Sequence, residues 1–203
     1  MVLLFSGMQS SLSMVYDREM GVMRLLLTAP LPRWYLLTAK LLSGTFLSVV
    51  QAYAFLIICL PFDWWTGLHV AFNNTLGWLY VLPALIMTGM MLGAIGLFLS
   101  VHVKQLENFA GTMNFVIFPM FFISPALFPL WYLEESGADL VFWVANCNPF
   151  TYGVQLVRYA SEGQFYLLGA LVVTGCTLIF LIGAIYGYDP QRGFVKKGPQ
   201  AAT

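Results

Sequence analysis

The sequence predicts an all-α, polytopic transmembrane helical bundle. Three observations predict it. Hydrophobic residues make up 60% of the 203-residue chain and charged residues 9%, against roughly 45–50% and about 25% in soluble domains. The charged residues are confined to short stretches, leaving 41–62, 64–103, 108–133, 140–157 and 163–188 free of Asp, Glu, Lys and Arg. Eight of the nine basic residues also fall on one side of the apolar runs, as the positive-inside rule leads one to expect of a multi-pass protein.

The elements follow in order from the length a helix needs to cross hydrocarbon, roughly 20 apolar residues. Residues 1–15 are apolar but too short to cross alone, and are expected to be a partial span. They have no basic n-region and no small-residue cleavage site, so they are not a signal peptide. Numbering that begins part-way through a longer protein, or at a misassigned start, is expected. Residues 16–34 are charged and punctuated by Pro30 and Pro32. Spans are expected at 36–60, 76–101, 109–131 and 165–187. The interval 140–157 is broken by Asn146, Asn148 and Pro149, so it is not expected to span. The tail, 188–203, is polar.

Orientation follows from the charges. With those four spans, Arg18, Arg24, Arg33, Lys40, Lys104, Arg192, Lys196 and Lys197 share one face and Arg158 alone lies opposite. The basic face is expected to be cytoplasmic. Trp64, Trp65, Trp78, Trp131 and Tyr132 then stand near the outer boundaries as an aromatic belt. Cys59 and Cys176 read as small buried hydrophobes, and Cys147 lies outside the membrane without an obvious disulfide partner.

Three segments carry candidate function. In 17–33, Asp17 and Glu19 are expected at a helix start, where the dipole favours carboxylates, and Pro30 and Pro32 stop that helix. A docking surface for a soluble partner and an interfacial helix with snorkelling arginines both fit this segment. In 108–133, Pro119, Pro125 and Pro129 crowd the outer half. Irregular backbone at that depth is tolerated only where protein or a water-filled cavity covers it. A partly re-entrant exit segment and a proline-kinked packing helix both fit. The aromatics Phe115, Phe118, Phe121 and Phe122 cover much of the helix circumference and select no pore face. In 146–159, Asn148-Pro149 marks a turn, and Pro149 suits a helix's first turn.

Three ordered patches resemble the permease subunits of type-2 ATP-binding-cassette (ABC) transporters. They are YDREMGVMRLLLTAPLPRWYLLTAKLL, FPMFFISPALFPL and NPFTYGVQLVR. The resemblance covers essentially the whole chain, minus the family's amphipathic entry helix and first span. Pro125 stands where the family usually has glycine. The resemblance implies a bundle of the type-2 ABC exporter kind, with a cytoplasmic coupling helix and outer re-entrant half-helices. It implies that two permease subunits pair, as a homodimer, in the lipid bilayer of a bacterial inner (plasma) membrane, with the tail cytoplasmic. Two cytoplasmic ABC ATPase subunits would bind ATP and Mg, so no cofactor is expected in this chain. On this resemblance Asp17, Glu19, Gly21, Arg24, Leu26 and Pro30 belong to the ATPase-coupling region, 16–34. Phe118, Pro119, Phe122, Pro129, Asn148, Pro149 and Tyr152 belong to an outer gate.

The residues independently narrow the choice. No span carries an internal carboxylate or lysine of the kind that marks proton- or sodium-coupled carriers, so energy is expected to enter from outside them. No Gly-x-x-x-x-Gly-Lys-Ser/Thr pattern occurs, which places nucleotide on a separate chain. An intramembrane enzyme would need a nucleophile and base or a metal pair at depth. Ser124 has no His or Lys nearby in sequence, and His69 and His102 are not spaced as ligands. A zero net charge gives no nucleic-acid footprint. The alternative is a self-gated channel with a polar backbone filter, which needs no ATPase. The sequence favours an amphiphilic, exported cargo only through the family.

Overall fold

The computed structural model describes residues 1–9, 11–20, 33–66, 77–103, 106–127 and 139–187. Eight helices account for most of them, and among the described residues there is no strand. They are α1 (Val2–Gln9), α2 (Leu12–Glu19), α3 (Arg33–Thr66), α4 (Gly77–His102), α5 (Leu106–Phe122), α6 (Asp139–Cys147), α7 (Pro149–Ser161) and α8 (Leu167–Gly187). Three stretches among the described residues are long and apolar enough to cross a membrane: Trp34–Pro61, Gly77–His102 and Leu167–Gly187.

Helix α4 is the hub, with α1, α3, α7 and α8 packed on it. Its buried positions are rich in small residues, including Ala84, Gly89, Gly93, Ala94, Gly96 and Ser100. Lipid tails are as apolar as leucine, so helices in a bilayer associate through close packing more than through apolar burial. Small residues allow that approach. The ideal Cβ of an alanine at Gly96 would lie 2.6 Å from Ser11 Oγ and 3.0 Å from the Met8 carbonyl oxygen. At Gly153 of α7 it would lie 2.8 Å from Thr88 Cγ2. Leu4, Met8, Val81, Leu92, Phe109 and Val173 fill the core around this hub.

The contacts define two ends of the bundle. One gathers α2, the start of α3, the end of α4, the start of α5 and the end of α8, through Lys40–Asp17, Leu106–Glu19 and Gly187 against His102. The His102 ring stays local, with Nδ1 2.8 Å from the Phe98 carbonyl oxygen. The other end gathers the finish of α3, the start of α4, the finish of α5, and α6, α7 and the start of α8. There Tyr53 donates to the Trp78 carbonyl at 2.7 Å, and Asn148 reaches Met120. Trp34 and Tyr35 are exposed at one end of α3 and Trp65 at the other. Those tryptophans are separated by about 46 Å of helix, close to a bilayer with its interfaces.

The structure departs from expectation at α2. Asp17 and Glu19 do not open a helix. They lie in the last turn of α2, which begins at Leu12. A helix C-terminus is unfavourable for carboxylates, and each is compensated by another element, as described below. Within the segment expected to span at 109–131 the chain is helical from Leu106 to Phe122 and residues 123–127 form turns, and 128–131 lie outside the described residues. Pro125 explains the stop. It disfavours the α conformation at Ser124 and brings no N–H to continue the ladder. Pro119 does not break the helix, nor do Pro61 in α3 and Pro83 in α4.

Candidate functional site

The charged end is built by α2. Asp17 pairs with Lys40 of α3, whose ammonium also lies 3.4 Å from Ser13 Oγ. The two side chains are 27% and 21% exposed, so the pair is partly shielded from solvent. Glu19 is exposed, and its Oε1 accepts the Leu106 N–H at 2.7 Å. That N–H opens α5 and has no partner within its own helix. Glu19 therefore caps α5 and places negative charge on the positive end of its dipole. The carboxylate does stabilise a helix start, but that of α5. Through these two contacts α2 is tied to α3 and α5 together. Tyr16 and Met20 are exposed beside them. Gly21, Arg24, Leu26 and Pro30 lie outside the described residues.

The opposite end is built where α5 stops. The last carbonyls of a helix need partners: Ile123 and Ser124 bond those of Pro119 and Phe121, and the α7 end supplies a donor to Met120 and another to Pro125 in the turn beyond. Asn148 caps α7: its Oδ1 accepts the Phe150 N–H at 3.0 Å, with Pro149 following in the first turn. Its Nδ2 donates to the Met120 carbonyl at 2.8 Å. One turn before the end of α7, Arg158 Nη2 donates to the Pro125 carbonyl at 3.0 Å. Thr151 Oγ1 adds a 2.6 Å bond to the Ala145 carbonyl, joining α6 to α7. Asn148 and Arg158 thus fasten the broken end of α5 along one side of α7.

Phe118, Pro119, Phe122, Asn148, Pro149 and Tyr152 all belong to this end, and Pro129 lies outside the described residues. The aromatics of α5 do divide by face. Phe121 is 8% exposed, whereas Phe118 and Phe122 are 47% and 61% exposed. Phe118 and Phe122 stack at 6.3 Å, and Phe5 of α1 meets Phe118 edge-on at 6.5 Å. Tyr152 is half-buried against the core.

Sequence reasoning missed the partners. Lys40, the Leu106 N–H, and the carbonyls of Met120 and Pro125 lie 23 to 87 residues from the side chains that reach them. Only Lys40, a cation at the entrance to an apolar run, left any trace in the sequence. The small-residue stripe of α4 was also missed, although Gly89-x-x-x-Gly93 followed by Gly96 carries its signal.

Residues 1–161 match a family described as ABC2_membrane, ABC-2 type transporter. The chain belongs to the ABC-2 type transporter family. It matches no curated protein and no solved structure. Membership makes it an integral membrane protein and a transporter's membrane component. ABC-2 permeases are generally not catalytic themselves and generally work with an ATPase component.

Proposed function

We propose that this ABC-2 chain is the permease subunit of an ATP-driven exporter of an amphiphilic substrate. It pairs with a second permease subunit in a bacterial inner membrane, with its tail cytoplasmic. ATP and Mg reside on a separate ATPase that docks at the α2 end. The observation that carries this reading is the Glu19–Leu106 contact. It fixes α2 to one end of α5, and Asn148 fixes the other end of α5 to α7. Helix α5 is about 26 Å long and acts as a rod. An ATPase that pushes α2 moves Leu106, and through Met120 moves α7. Phe118, Phe122, Asn148 and Arg158 then form the outer gate that yields.

A mild-detergent pull-down of the tagged full-length protein tests the reading. A stoichiometric P-loop ATPase is expected with it. Glu19→Lys places a cation on the α5 N-terminus in place of its cap, and is expected to reduce export about tenfold or more, with substrate-stimulated ATP hydrolysis lost. Glu19→Gln keeps an acceptor for the Leu106 N–H and should retain most activity. A homo-oligomer without ATPase would instead favour the self-gated channel.

A further inference from the structure

A cavity of about 220 Å³ lies between the first half of α4, the end of α7 and the turn that leads into α8. It is lined by Tyr80 and Met87 of α4, Leu156 of α7, and Gln164, Phe165 and Tyr166 of the turn. Sites for whole small molecules run to roughly 300–1,000 Å³. This cavity is smaller and suits a head group.

Three aromatic side chains decide what the cavity fits, and the chain holds them in place. Tyr166 stacks on Tyr159, with ring centroids 5.0 Å apart and planes 20° apart. A Cβ added at Gly169 would strike the Tyr166 ring, so glycine at that position leaves the ring its seat. Gly163 takes a φ of 77°, and the Gln164 N–H donates to the Tyr159 carbonyl at 2.8 Å. Those two features fix the turn that carries Gln164 and Phe165. Aromatic faces are negative, so they attract cations. A primary ammonium would bring three N–H donors into walls that are mostly apolar. A quaternary ammonium brings none, and its methyl groups match Met87 and Leu156. Leu79 and Leu167 are exposed beside Tyr80 and Tyr166, and they carry an apolar surface from the cavity onto α4 and α8.

We propose that this cavity takes the trimethylammonium head of a membrane amphiphile. Tyr80, Phe165 and Tyr166 hold the head by cation–π attraction, and its chain lies against Leu79 and Leu167. The inference goes beyond the transport reading, since this site needs neither nucleotide nor partner and shares no lining residue with the outer gate.

Saturation-transfer NMR on the full-length protein in a maltoside detergent tests this. The probes are choline and its uncharged carbon isostere, 3,3-dimethylbutanol. Choline should bind about tenfold tighter or more, since the two share a shape and differ in charge. Tyr80→Leu and Tyr166→Leu should each weaken choline about three- to tenfold and leave the isostere unchanged. Tyr80→Phe and Tyr166→Phe keep the rings and should bind choline as the parent chain does. Gln164→Arg sets a cation at the cavity and should abolish choline binding. Hexyltrimethylammonium should displace choline at a lower concentration than choline itself does, because its chain adds apolar contact. Equal binding of choline and the isostere, unchanged choline binding in both leucine variants, or equal losses in the leucine and phenylalanine variants would each overturn the proposal. Displacement by hexyltrimethylammonium no better than by choline would overturn the amphiphile as the source of the head. Because no ATPase takes part, failure of the permease reading would leave these outcomes unaffected.

Discussion

Gly96→Leu should prevent α1 from seating on α4 and abolish recovery of monodisperse protein. The Gly96 position faces the break between α1 and α2. Even a single Cβ there would lie 2.6 Å from Ser11 Oγ, 3.0 Å from the Met8 carbonyl oxygen and 3.2 Å from Met8 Cα. Ser11 cannot rotate away freely, because its hydroxyl donates to that same carbonyl and its N–H donates there at 3.2 Å. The Met8 backbone is held in turn, with the Met8 side chain fully buried. Gly96→Ala should therefore cost about 1–3 kcal/mol, the usual cost of overpacking, and lower the Tm in mild detergent. Gly111 of α5 is the control. An added Cβ meets nothing within 4 Å there, and alanine is favoured over glycine in a helix interior by up to about 1 kcal/mol. Gly111→Ala should leave Tm unchanged or raise it. Equal losses at Gly96 and Gly111 would refute close packing as the cause.

These substitutions also mark what the sequence could disclose. The class was legible because it rests on sums: apolar content, charge-free length and the side on which Arg and Lys fall. The family was legible because three short patches keep their order. The α6–α7 break was legible at Asn148-Pro149, since a cap residue followed by proline is local chemistry. The helix ends were less so. Proline alone does not decide them, because Pro61, Pro83 and Pro119 sit inside helices while Pro125 accompanies an end. What differs is whether the carbonyls freed at the break find partners. At the end of α5 they do: the Ile123 and Ser124 N–H groups donate to the Pro119 and Phe121 carbonyls, and Asn148 donates to that of Met120. Pro125 and the turn at Ser124 are local, but the Asn148 donor is tertiary, and no pattern around residue 122 contains it. The carboxylates of α2 failed for the same reason. Asp17 and Glu19 carry the signature of a helix start, but the helix start that Glu19 serves begins 87 residues later.

Asn148→Ala should loosen the α7 end by about 2–4 kcal/mol, because it removes two bonds of different kinds. Loss of the cap on Phe150 costs typically about 1 kcal/mol. Loss of the donor to Met120 leaves a half-buried carbonyl unpaired, at about 1–3 kcal/mol. Substitution can separate the two. Asn148→Asp keeps a cap acceptor, and the helix dipole favours its charge. It cannot donate to Met120, and it presents a carboxylate to that carbonyl instead. Hydrogen exchange reads the difference, because amides open with the free energy of their local unit. In Asn148→Ala, peptides covering both 148–153 and 121–127 should exchange faster, by roughly ten- to hundredfold. In Asn148→Asp the 148–153 peptide should stay protected while 121–127 accelerates. If Asn148→Asp protects both segments as well as asparagine does, the bond to Met120 contributes nothing, and α5 is not fastened to α7 by this residue. If 121–127 alone accelerates and export falls with it, the hold of Asn148 on the end of α5 is part of the gate, and the rod that joins α2 to α7 has a defined outer joint.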